Sequence, residues 1–393
     1  MTLLGALAGL SFAAWLVLVF ARGRYWTAEV RLDGRARVPA AWPEVAAVVP
    51  ARDEADLIAR TLRTLLDQDY PGPLRVVLVD DESGDGTAEA ARAAAAAHPR
   101  GDRLAVVRTE ARPAGWVGKM WAVESGIRFA RQSCGADWWW LTDADVAHAP
   151  DTLARLVAKG ESERLDLVSL MVKLEAGAGW NALLVPAFVY FFQQLYPFPL
   201  VNDPGSGVAA AAGGCMLVRC DALARAGGIA ALRGEVIDDC ALGRALKANG
   251  GIWLGLSEHE ASIRPYAGIA DVWRMVARSA YTQLRHSPAL LAGTLAGLAL
   301  LYAVPPLCVL AWLCGSGAAA GVFGAAAWML QAASFLPTLA LYRRSPWLAL
   351  ALPAAGALYA AMTLDSARRH WRNEGATWKG RSGAGASAQP PAQ

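Results

Sequence analysis

The stretch RVVLVDDESGDGT, residues 75–87, decides how the chain reads. An apolar run, Arg75–Val79, has the β-rich character of a strand and ends in two acids, Asp80-Asp81. A tight turn of short polar residues and glycines follows, and an alanine-rich helix is expected over Thr87–Ala97. Carboxylates cost free energy when a fold draws them in, so acids at a strand end suggest a site for a cation and a polar ligand. Helix capping by Asp85 or Thr87 accounts for part of the same turn.

The arrangement recurs along the first two-thirds of the chain. AVVP at 47–50 runs into Arg52-Asp53-Glu54, and WWWLT at 138–142 runs into Asp143-Ala-Asp145. A further pair, Asp238-Asp239, sits inside GEVIDDCALGRAL, where Leu242 and Leu246 have helical spacing. Strands are expected at Val45–Pro50, Leu104–Val107 and Trp138–Thr142. An amphipathic helix is expected over Asp56–Gln68, with Leu57, Ile58, Leu62, Leu65 and Leu66 on its apolar face. Strands alternating with helices imply an α/β domain with a mostly parallel sheet and ligands at the strand C-termini. The domain is expected over 44–286.

The rest of the chain is unusually apolar. Of the 393 residues 55% are hydrophobic, and mean hydropathy is +0.28. Residues 3–21 form an uncharged run of bilayer-spanning length, followed by Arg22, Arg24, Arg31, Arg35 and Arg37. The charge lies on the wrong side of the run for a cleaved signal, so 1–22 reads as an anchor. Three more apolar runs fill a region over 287–364, at about 289–314, 318–342 and 346–364. A tail over 365–393 begins basic and ends rich in Gly, Ala, Ser and Pro, as disordered segments are. Arginines favour the cytoplasmic side. Both Arg343-Arg344 and the tail's Arg368, Arg369 and Arg372 ask for that side. Either one run folds back, with Pro305-Pro306 making the first of the three the candidate, or the tail breaks the rule. Trp180–Val201, aromatic but broken by prolines, reads as an interfacial element, with an aromatic core segment as the alternative.

The six cysteines include no Cys-x-x-Cys pair, which argues against zinc and a disulfide framework. A formal charge of +3 is too small to suggest nucleic acid.

Asp143 and Asp145 are hard oxygen donors of the kind that hold Mg²⁺ or Mn²⁺ together with ligand phosphates. Lys119, in Gly115-Trp-Val-Gly118-Lys119, could bring a cation to phosphates. Asp239 could be a general base, although a carboxylate at a helix start is also favoured by the dipole alone. His259 reads as structural, with metal or phosphate contact as the alternative.

Together these motifs resemble the family 2 glycosyltransferases with a GT-A fold. The resemblance covers about 45–265. AVVPARDEADLIARTLRTLLDQDYP is similar to the family's opening strand and helix, VLVDDESGDGT to its nucleotide-binding turn, and LTDADV to its metal motif. GGCMLVRCDALARAGGI is similar to its acceptor-side segment and IDDCALGRAL to its Glu-Asp base motif, with Asp238 where Glu is usual.

The resemblance implies that Asp81 meets the nucleotide base, Asp143 the nucleotide and Asp145 the metal, with Asp239 as base. Pro50, Glu54 and Lys119 join the donor side, and Gly213, Gly214 and Asp238 the acceptor side. Thr282-Gln-Leu-Arg285-His286 keeps only the arginine of a motif found in membrane-bound relatives, so Arg285 is a candidate donor-phosphate contact. Thr377-Trp-Lys-Gly-Arg381 resembles the tail of lipid-directed members. WNALLVPAFVYFFQQLYPFPLVND and ARSAYTQLRHSP look most like the hopene-associated glycosyltransferases.

These readings imply an enzyme of the bacterial inner membrane whose catalytic domain faces the cytoplasm. It would move a sugar from a nucleotide-sugar, UDP-linked, to a lipid such as a hopanoid. A polyprenyl phosphate or a ceramide-like lipid is the alternative acceptor. A non-catalytic membrane scaffold is the alternative of another class.

Overall fold

The computed structural model describes residues 3–32, 37–235, 237–315, 317–372 and 374, with short segments at 377–378 and 381–382. Most of the tail expected over 365–393, including Lys379, lies outside the described residues, as does Arg35. The chain forms two compact units. One comprises Val30–Glu175, Val201–Arg264 and the C-terminal segment, the other Met1–Glu29, Ala176–Leu200 and Pro265–Glu374. The division differs from the single domain expected over 44–286, because 176–200 and 265–286 pack with the apolar helices.

The first unit is built on an eight-stranded sheet. Its strands are β1 (Val45–Ala51), β2 (Leu74–Asp80), β3 (Leu104–Arg108), β4 (Trp138–Thr142), β5 (Val146–Ala147), β6 (Leu165–Lys173), β7 (Cys215–Arg219) and β8 (Gly251–Ser262). The spatial order is β3-β2-β1-β4-β7-β6-β8-β5. The β3-β2-β1-β4 half is parallel, β7 runs antiparallel to both neighbours, and β6 pairs β8 in parallel. β1 and β2 are almost wholly buried, which is why they read as continuous apolar runs rather than alternating ones. The helix Ala55–Leu66 buries Ile58, Leu62, Leu65 and Leu66 beside Val45, Val76 and Trp138. The helix Gly118–Ser133 lies so close to the sheet that a Cβ at Gly126 would come within 2.5 Å of Val48 Cγ1. Since β2, β1 and β4 are neighbours running the same way, their acidic C-terminal turns stand side by side.

Among the described residues, the second unit holds four helices long and apolar enough to cross a membrane: Leu3–Phe20, Pro288–Leu313, Ala318–Leu341 and Pro346–Trp371. The sequence expectation that the 289–314 run folds back at its prolines is not met. Residues 288–313 are helical throughout, with a π-turn at Ala299–Ala303. Pro305 has no N–H for the carbonyl of Leu301. That carbonyl instead accepts from Trp15 Nε1 (3.0 Å) and Gln331 Nε2, so the break is satisfied from neighbouring helices.

The segment that turns back is the last one. In helix 318–341 Gly324 meets Cys308 and Gln331 meets Leu301, so it runs antiparallel to 288–313. In helix Leu352–Trp371 Gly356 meets Tyr302 and Ala367 packs with Leu291, which gives the same direction. Two successive helices of like direction require the link between them to climb back. It does so partly as a 3-10 helix, Pro346–Ala351, whose Leu350 carbonyl accepts from Trp328 Nε1 (3.1 Å). At about 1.5 Å per residue, Leu352 lies about 6 Å beyond the Tyr302 level and Leu313 about 16 Å beyond it. The last helix therefore starts short of the far end.

Helix 3–20 also runs antiparallel to 288–313, with Ala8 beside Cys308 and Trp15 beside Leu301. By this register Arg22, Arg343, Arg344, Arg368 and Arg369 gather at the end of the bundle where helix 288–313 begins.

Asn181–Leu195 is a helix buried on most of its length within this unit. Tyr190 packs edge-on against Phe335 and bonds Ser334 Oγ (2.7 Å), and the Leu184 carbonyl accepts from Tyr359 (2.9 Å). Tyr190 and Phe198 are buried, Phe188, Phe191, Phe192 and Tyr196 are half-buried, and Trp180 is exposed.

Candidate functional site

The turns after β1 and β2 are tied to each other. Gly84 N donates to Asp53 Oδ1 (2.9 Å), and Asp53 N donates to Ser83 Oγ (3.1 Å). Asp85 Oδ2 accepts from Ala55 N (2.9 Å) and Thr87 Oγ1 from Glu54 N (2.8 Å), so side chains of one turn cap the helix that follows the other. The expected capping role of Asp85 and Thr87 is thus present, directed at the neighbouring helix 55–66 as well as their own. This cross-tie fixes Glu54 and sets Asp81 fully buried between the two turns. Asp81 Oδ1 accepts from Thr109 (3.2 Å), and Oδ2 lies 3.7 Å from Arg52 Nη1.

At the end of β4, Thr142 donates to the Gly214 carbonyl (2.8 Å), which joins the turn to the start of β7. Asp143 Oδ1 lies 2.9 Å from Lys119 Nζ at the start of helix 118–133, and the same ammonium is 3.6 Å from Asp238 Oδ2. Burial works against the Lys119 charge, but Asp143, Asp238 and Asp239 outweigh it and hold the ammonium above the usual lysine range. Pro50, Lys119, Asp143, Gly213 and Asp238 line one cleft.

Asp239 stands in the first turn of the helix Asp238–Lys247 and has a different setting. Its Oδ2 accepts from Gly213 N (3.0 Å) and its Oδ1 from Cys240 N (2.7 Å). Burial, then the charge of Asp238, pushes its carboxyl up to about 6, with Lys119 opposing. A carboxylate poised near neutrality and held by backbone donors is suited to take a proton. The neighbouring glycine has a steric reason: a Cβ at Gly214 would fall 2.7 Å from Val172 Cγ2.

Asp145 Oδ2 accepts from Arg264 Nε (2.8 Å) and Ser262 Oγ (3.2 Å). The other arm of the same guanidinium grips both oxygens of Glu54. Burial and the Asp143 charge raise the Asp145 carboxyl, and Arg264 pulls it back. Among the described residues no group of three or more His, Cys, Asp and Glu side chains forms a cation cage. Two hard carboxylates at one strand end instead fit a cation that completes its shell with phosphate oxygens and water.

A family model for glycosyltransferase-like family 2 matches residues 43–266, more than half of the chain and all of the sheet. The chain belongs to this family. It is a family 2 glycosyltransferase, an enzyme that works from a nucleotide-sugar donor. Among solved structures, the mannosyltransferase PcManGT from Pyrobaculum calidifontis, in complex with GDP-Man and Mn²⁺, is similar over 95% of this chain and 100% of its own. The TM-score is 0.55 at 23% identity, which is a likeness of fold. S. aureus TarS matches 61% of this chain and 40% of its own, with a TM-score of 0.41 at 18% identity. No curated protein matches.

In this family 2 glycosyltransferase the structure brings most of the sequence candidates together. Pro50, Lys119, Asp143, Gly213 and Asp238 share the cleft, Gly213 also holds Asp239, and Glu54 and Asp145 are joined through Arg264. Arg285 belongs to the helical unit, where its backbone is left-handed (φ 52°). His259 is exposed on β8. Arg264 itself was missed. Its only sequence signal is a basic residue just past the end of a strand, which reads as solvated.

Proposed function

We propose that this glycosyltransferase is anchored in the bacterial inner membrane with its sheet unit facing the cytoplasm, and that it acts with inversion. The donor in this reading is a UDP-sugar, and the acceptor is the hydroxyl of a lipid, with a hopanoid as the candidate. Asp239 carries the reading. Its carboxylate would take the acceptor O–H proton as the oxygen attacks the anomeric carbon, while the bond from that carbon to the diphosphate breaks on the opposite face. Asp81 would meet the nucleotide base, and Lys119 would stand near the developing charge on the diphosphate. Asp143 and Asp145 would hold Mg²⁺ or Mn²⁺, which when bound neutralises the departing diphosphate. The gathering of arginines at one end of the helical bundle supports the cytoplasmic orientation.

The test is incubation of the detergent-purified protein with UDP- and GDP-sugars, Mn²⁺ or Mg²⁺ and total bacterial lipid, read by mass spectrometry. GDP-mannose belongs in the panel because a mannosyltransferase of similar fold holds it. A hexose adduct on a hopanoid, absent in Asp145→Ala, is the expected result. An adduct only on a polyprenyl phosphate would move the acceptor class, and no adduct on any lipid would remove lipid glycosylation.

A further inference from the structure

The closest ionic contacts in the sheet unit's acid turns belong to Arg264, and the reaction as described gives it no part. The residue is placed by backbone. β5 pairs antiparallel with the end of β8, Val146 opposite Ser262, and Ile263 N donates to the Asp145 carbonyl (2.7 Å). That register sets the side chain two residues past Ser262 beside the Asp145 carboxylate. Nε then takes Asp145 Oδ2 at 2.8 Å while Nη2 takes both Glu54 oxygens. The Glu54 side chain is 8% exposed and that of Asp145 18%, whereas the Arg264 side chain is 36% exposed. The two acids are fixed and enclosed; the cation between them has an open side.

Such an arrangement has a consequence for a second cation. A dication at Asp145 would share its ligand with a guanidinium bonded to the same oxygen, and like charges at that distance repel strongly in a partly dry site. Loss of the guanidinium alone leaves two buried carboxylates uncompensated. Either the cation or the arginine satisfies Asp145, and an arriving diphosphate offers the displaced guanidinium a new bidentate partner.

We propose, building on the metal-dependent reading above, that Arg264 is a resident counter-ion that competes with the divalent cation for Asp145. It yields that oxygen only when a nucleotide diphosphate enters, so that cation and donor bind together. Arg264 is in this sense a positioning residue: it makes the cation's affinity conditional on the donor.

The experiment is Mn²⁺ titration of the full-length detergent-purified protein, followed by the EPR signal of free Mn²⁺, with and without UDP or GDP. The parent should bind Mn²⁺ weakly alone and about tenfold or more tightly with nucleotide. Arg264→Gln should bind Mn²⁺ alone about tenfold more tightly than the parent, and the gain from nucleotide should shrink correspondingly. Arg264→Lys, a point charge without the bidentate fork, should fall between them and decides the matter should Arg264→Gln not fold. Binding in Arg264→Gln no tighter than in the parent, or in Arg264→Lys if that variant must stand in, overturns the role of Arg264 while leaving Asp145 as a metal ligand. Binding unaltered by Asp145→Ala, or absent with either nucleotide, would overturn the metal assignment itself.

Discussion

The turn after β4 and the first turn of helix 238–247 each present a pair of aspartates, and Asp239 of the second pair is held differently from both members of the first. Asp143 and Asp145 each touch a side-chain cation, Lys119 at 2.9 Å and Arg264 at 2.8 Å. Asp239 is held by the backbone N–H groups of Gly213 and Cys240. A carboxylate paired with a mobile cation can exchange that cation for another. Asp239 has its ionisation pushed towards neutrality by burial and by the second acid, against its backbone donors and Lys119, and can exchange a proton instead. One residue type thus serves two chemistries, separated by partners that lie far away in sequence.

The comparison can be broken most severely on the cation side. Asp145→Ala should lower turnover by about 10³-fold, through loss of charge stabilisation on the diphosphate; a metal-dependent rate near the parent's would remove the contrast. Lys119→Met should cost about 10²-fold and also move the proton side. Because the Asp239 carboxyl sits at about 6, the parent's kcat/KM should be full at neutral pH and fall as pH drops through about 6, when the base becomes protonated. Lys119 opposes that rise, so in Lys119→Met the acid limb should shift to higher pH. A limb that stays in place would detach Asp239 from its neighbours.

Smaller effects sharpen the structural half of the account. Gly214→Ala forces a Cβ against the stiff Val172 side chain, 2.7 Å away, and should cost about 1–3 kcal/mol in stability, read by thermal denaturation. Trp15→Phe removes one of two donors to the Leu301 carbonyl and leaves Gln331 in place, so a loss of roughly 0.5–1 kcal/mol is expected. A larger loss would mean that the π-turn at 299–303 depends mainly on Trp15.

Much of the catalytic unit was legible because its strands are buried on both faces and end in acids. Val45–Pro50 and Arg75–Val79 read as apolar runs that stop at Arg52-Asp53-Glu54 and Asp80-Asp81, and the β2-β1-β4 order sets those stops side by side. Arg264 was not legible, since its meaning comes from the β5–β8 register and from Glu54, some 210 residues earlier. The membrane region failed for a related reason. Hydropathy marks the length of an apolar run but carries no depth, so Pro305-Pro306 suggested a turn where Trp15 and Gln331 repair the helix. The segment that turns back, 342–351, carries a single proline, Pro346, at the boundary between two runs; its path follows from the contacts of Leu350 and Gly356. Likewise Tyr190 lies in a segment that reads as interfacial by composition, but its hydroxyl finds a partner inside the bundle.

The most direct test of the division of labour between the two aspartate pairs is Asp239→Asn, with Mn²⁺-dependent nucleotide binding and turnover measured on the same preparation. The expected result is nucleotide affinity close to the parent's with turnover lower by about 10²–10⁴-fold, the range for loss of a general base. Turnover near the parent's rate would contradict the assignment of Asp239 as the proton acceptor.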